Sequence, residues 1–85
     1  MKTTIKCMKY DPSDEPFLVF EAETAEEMIA KLAEISWIDL PNDIWVKIGS
    51  ENCLMYDPML DMFKDWNGIR WVNISNERVI YYFAR

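Results

Sequence analysis

DPMLDMFKDWNG, residues 57–68, is the stretch on which the fold turns. As a helix it has a start and a stop. Asp57 is a good N-cap, Pro58 suits the first helical position because its missing N–H would have no partner there, and Asn67-Gly68 is a common C-terminal signal. Met59, Met62, Phe63 and Trp66 recur at i, i+3, i+4 and i+7 and form one apolar stripe, so the spacing predicts a helix over 58–66. Asp57, Asp61 and Asp65 fall outside that stripe at intervals of four, about 6 Å apart along a helix axis. That separation could serve a divalent cation, but Mg²⁺ and Ca²⁺ sites draw ligands from several elements or from a dedicated loop, and no EF-hand spacing is present, so no metal is expected. The same row also resembles successive backbone phosphates offered to a basic protein. The simplest reading is a solvated helix face, with Asp57 as cap and Asp61 favoured by the N-terminal helix dipole.

On either side of this stretch the signals are plainer. TTIKCMKY (3–10) and FLVFEA (17–22) are β-prone and flank DPSDEP, a turn rich in proline and acid, which together predict a hairpin. Thr24 and Glu27 form a capping box, and Met28, Ile29, Leu32 and Ile35 then repeat at helical spacing, predicting a helix over about 25–35. DIWVKIG (43–49) and CLMY (53–56) predict a second hairpin around GSEN. IRWVNIS (69–75) and ERVIYYFA (77–84), separated by Ser75-Asn76, predict a third. The expectation is one α+β domain over 1–85, an antiparallel β-sheet of three hairpins in the order ββα-ββα-ββ, with two helices packed on one face.

Composition narrows function more than it names it. The chain of 85 residues is 51% hydrophobic and 14% aromatic, enough apolar surface for a single core. Histidine is absent, which removes the common general base, the Ser-His and Cys-His nucleophile pairs and most zinc sites. Gly49 and Gly68 are too far apart for a phosphate loop. Neither a cofactor nor bond-making chemistry is expected. No apolar run approaches the length of a membrane span, and the first twenty residues, with Lys2, Lys6, Lys9, Asp11, Asp14 and Glu15, lack a signal-peptide core. A cytoplasmic protein with reduced Cys7 and Cys53 is therefore expected.

Charge is uneven along the chain. The net charge is −6, but residues 11–34 carry eight acids against a single base, Lys31, a local charge of −7, and the remainder balances at +1. Net negative charge disfavours direct contact with nucleic acid or anionic membrane, and permits a basic protein partner. Trp37, Trp45, Trp71, Tyr81 and Tyr82 are large amphipathic side chains suited to an interface, which would allow a homodimer as well as a foreign partner. The expected function is a small acidic interaction module whose contacts are Glu21, Glu23, Glu26, Glu27, Asp57, Asp61 and Asp65 together with these aromatics. In general character it resembles the small inhibitors by which phages and mobile elements block nucleic-acid-handling enzymes. The alternative is a homo-oligomeric domain that binds or sequesters a small ligand in an aromatic pocket.

Overall fold

The structure is a computed structural model that describes residues 2–35, 43–50 and 52–84. β1 (Thr3–Met8) and β2 (Leu18–Ala22) form the first hairpin, with Ile5 opposite Phe20 and Cys7 opposite Leu18. In the connecting turn Asp11 accepts from both the hydroxyl and the N–H of Ser13, which holds its carboxyl below the ordinary range. β3 (Ile44–Ile48) and β4 (Asn52–Asp57) form the second hairpin. Gly49 turns that hairpin at φ 68°, in the left-handed region a side chain resists, and its N–H donates to the Thr4 carbonyl.

A six-stranded antiparallel sheet results, in the order β2-β1-β3-β4-β5-β6, where β5 is Met62–Trp66 and β6 is Trp71–Ile74. Strand alternation decides what is buried. Ile5, Cys7, Ile44, Val46, Ile48, Leu54, Tyr56 and Phe63 point to one face and lose all or nearly all their exposure. Met28 and Leu32 of α1 (Ala25–Ala33) and Val79 of α2 (Asn76–Ala84) belong to the same cluster, and the two helices also touch each other. α1 starts as its capping box requires: the Glu27 N–H donates to the Thr24 hydroxyl at 3.2 Å. The Glu27 carboxylate in turn accepts from the N–H of Glu23, one residue before the cap.

Two elements exchange identity relative to the sequence expectation. Residues 58–66 are not a helix. β4 runs on through Asp57, residues 58–61 make a tight turn, and β5 follows. Asp57 does cap, but it caps that turn, accepting from the N–H groups of Met59 and Leu60, and Asp61 closes the turn at φ 53°. The helix would have buried Met59 with Phe63. The strand leaves Met59 76% exposed and sets Phe63 directly opposite Tyr56, their ring centres 4.7 Å apart.

Residues 77–84 are not a strand. Asn76–Ala84 is helical, and Ser75, taken for a turn residue, is its N-cap: its hydroxyl accepts from the Arg78 N–H and its carbonyl from the Val79 N–H. The helix buries Val79 and half-buries Tyr82 and Phe83, an i, i+3, i+4 face that the β-branched and aromatic composition disguised. The order is therefore ββα-ββββ-α. Ser75→Ala is expected to lower stability by about 1 kcal/mol through loss of this cap. Urea unfolding with no loss would show that α2 starts elsewhere.

Candidate functional site

The three spaced aspartates do not form a stripe. The Asp61 carboxylate accepts from the Tyr56 hydroxyl at 2.5 Å, Asp65 accepts from the Tyr82 hydroxyl, and Asp57 is occupied by its turn. Asp65 lies opposite Val72 and so faces the helix side of the sheet, where it ties β5 to α2. Burial pushes the Tyr56 phenol up, and the Asp61 hydrogen bond and the charges of Asp61 and Asp57 add to the shift, so this pair keeps a neutral tyrosine as donor. Each carboxylate has an internal partner, and none is left as a repeating anionic row.

Glu21, Glu23, Glu26 and Glu27 are different. All four are exposed, and they run from the end of edge strand β2 into the first turn of α1. Among the described residues one salt bridge is present, Lys64 to Asp43 at 3.2 Å, so no described cation is paired with any of these glutamates. Ala22 and Ala25 go into the core while the four glutamates around them turn outward.

The aromatic candidates divide among three situations. Trp37 lies outside the described residues. Tyr81 and Tyr82 stand on α2 with ring centres 6.0 Å apart, Tyr81 exposed and Tyr82 turned inward under Arg78. Trp45 and Trp71 occupy the face of the sheet away from the helices. Their strands are separated by β4 and β5, about 14 Å at ordinary strand spacing, yet their rings meet edge to face at 5.4 Å. They therefore lie over the sheet and supply cover for its second face. Trp66, opposite Trp71 in register, extends the cover at 5.7 Å and is 51% exposed. Sequence reasoning placed Trp66 on a helix and so missed it.

A second feature is only half legible in the sequence. Lys6 and Lys47 lie directly opposite each other across β1 and β3, on the same outer face, and with Lys2 they line a depression of about 520 Å³ shared with Thr3, Thr4, Gly49 and Ser50. The alternation that puts Lys6 and Lys47 outward is visible in the sequence. That β1 pairs with β3, and in this register, is not.

The thiols are on opposite faces. Cys7 is buried in the core and its thiol is pushed up to about 12 by burial. Cys53, half-buried opposite Lys47, is also raised by burial, with the lysine charge acting the other way. Both stay protonated near neutrality, which leaves little thiolate for nucleophilic work. Among the described residues there is no group of three or more Cys, Asp or Glu side chains placed to hold a metal ion, and no helix is long and apolar enough to cross a membrane. Comparison with protein-family models, with curated proteins and with solved structures finds no match to the chain. The fold and surface therefore define the class, a small α+β domain with an anionic corner, an aromatic-covered sheet face and a separate cationic depression.

Proposed function

We propose that the chain is a protein-interaction module that docks on a basic surface through the corner formed by Glu21, Glu23, Glu26 and Glu27. The observation that carries this reading is the exposure of four carboxylates within residues 21–27, without a cation partner among the described residues. Like charges packed at a helix start repel one another, and a partner rich in Lys and Arg relieves that repulsion as it binds. Proteins that handle nucleic acid present such surfaces to capture phosphates, so an acidic module seated there would compete with the nucleic acid and act as an inhibitor or regulator. Exposed Phe17 and Val19, on and just before the neighbouring edge strand, supply apolar contact beside the charges.

The test is capture of partners from cell extract by the wild-type chain and by a variant carrying Glu21→Lys, Glu23→Lys and Glu26→Lys. Glu27 is left alone because it caps α1. Basic nucleic-acid-binding proteins are expected to be retained by the wild type at about 50 mM salt, lost by about 500 mM, and absent with the variant. Capture that is indifferent to both salt and charge reversal would remove the acidic corner from the interface.

A further inference from the structure

We propose that the outer face of β1 and β3 is a binding site for a compact phosphate-bearing ligand, held by Lys2, Lys6 and Lys47 beside the Gly49-Ser50 turn. The register is the first argument. Lys6 and Lys47 are direct cross-strand neighbours, an arrangement in which like charges destabilise an antiparallel pair. The next residues along that row are Val19, opposite Lys6, and Cys53, opposite Lys47, while the carboxylate of Glu21, opposite Thr4 on the same face, stands diagonal to Lys6 rather than in line with the pair. Among the described residues none of the three lysines is in a salt bridge, in a chain with fifteen acids to draw on. A bound anion would relieve this repulsion.

Shape and chemistry supply the second argument. The depression is shallow and open to solvent, and its lining includes Thr4, on the same face as Lys6, and Ser50, whose hydroxyls can donate to phosphate oxygens. The Gly49 N–H bond to the Thr4 carbonyl fastens the turn to β1, which fixes one wall of the site. Ammonium groups act as point charges toward phosphate, and three of them suit a dianionic or polyanionic group better than a single carboxylate. The rest of the surface limits ligand length. With these three lysines set aside the chain carries −9 of its net −6, so a strand of phosphodiesters running beyond the depression would meet repulsion that a terminal phosphate avoids.

Two readouts test the site. The first is the melting temperature at matched ionic strength in sodium chloride, inorganic phosphate, a nucleoside triphosphate and a single-stranded oligothymidine. A ligand that binds only the folded chain should raise it by on the order of 5 °C at a few times Kd. Inorganic phosphate or the triphosphate is expected to do so, the larger rise telling free from esterified phosphate. Lys47→Gln should abolish the rise and Lys47→Arg should keep it. The second readout is alkylation of Cys53 by iodoacetamide, which phosphate should slow roughly twofold by neutralising the lysine charge that favours the thiolate. Cys7, fully buried, does not compete. Equal melting temperatures in phosphate and chloride, with an unchanged alkylation rate, would overturn the proposal, as would a rise that survives Lys47→Gln. Stronger stabilisation by the oligothymidine than by the triphosphate would overturn the compact ligand in favour of a nucleic-acid strand.

Discussion

Phe63→Ala is expected to destabilise the fold by about 3–5 kcal/mol, and Met59→Ala by less than about 0.5 kcal/mol. Phe63 is 1% exposed, lies opposite both Tyr56 and Ile74, and belongs to the central cluster, so truncation removes its transfer free energy and leaves a cavity between two strands. A domain of this size has on the order of 5 kcal/mol to lose, so the variant should be largely unfolded at room temperature or melt far below the wild type. The contrast with Met59 is what makes the experiment decisive for topology. A helix over 58–66 buries both residues in one stripe, and both truncations would then be costly. The strand buries one and leaves the other in a turn. Urea midpoints for the two variants separate the alternatives, and comparable losses would refute β5.

The second large effect is alkaline unfolding. The Cys7 thiol has its ordinary value of 9.0 when the chain is open to water and is pushed up to about 12 in the core. The folded state therefore holds its proton over a range in which the unfolded state releases it. Stability from this group is complete below pH 9 and is lost as pH climbs toward 12. Each pH unit inside that window costs about 1.4 kcal/mol, so by pH 11 the loss is on the order of 2–3 kcal/mol. The Tyr56 phenol, also raised, adds to the loss above its ordinary value of 10.0. Urea unfolding under reducing conditions at pH 8 and pH 11 measures the difference. Cys7→Ala will be less stable at pH 8 but should show a pH dependence shallower by on the order of 2–3 kcal/mol over this interval. Parallel curves for the two proteins would mean that Cys7 is not held in a dry core.

Parts of the fold are legible in the sequence alone. Thr24 and Glu27 announced α1 because a capping box is satisfied entirely by neighbours in the chain. Ile44, Val46 and Ile48 announced the inward face of β3 because alternation needs only a core to face. Charge alone points to Glu21, Glu23, Glu26 and Glu27 as contacts, and the fold leaves all four exposed. The helical period that singles out Asp61 and Asp65 does not exist in the fold, and each is engaged by a tyrosine hydroxyl from a distant or turn-related position.

The two misread segments share one physical cause. Asp57-Pro58 can cap a helix or a turn, and Ser75-Asn76 can end a strand or start a helix, because the cap hydrogen bonds are local in both cases and similar in energy. Periodicity did not settle either, since Phe63 is apolar in both readings and Val79 with Phe83 fits both a strand face and a helix face. Residues 57–66 became a strand because β4 leaves a hydrogen-bonding edge and Tyr56 leaves a ring for Phe63 to meet. Residues 76–84 became a helix that sends Val79 into the cluster shared with Met28 and Leu32.

Composition alone determined the absence of imidazole, the concentration of acid in residues 11–34 and the surplus of apolar side chains, since each is a property of the residues wherever they lie. Tertiary pairing alone decided that Lys6 faces Lys47, that Trp45 reaches Trp71 across two intervening strands, and that Tyr82 secures Asp65. Those contacts join residues far apart in the chain. Their energy is realised only once the sheet has closed, and no local preference carries any record of it.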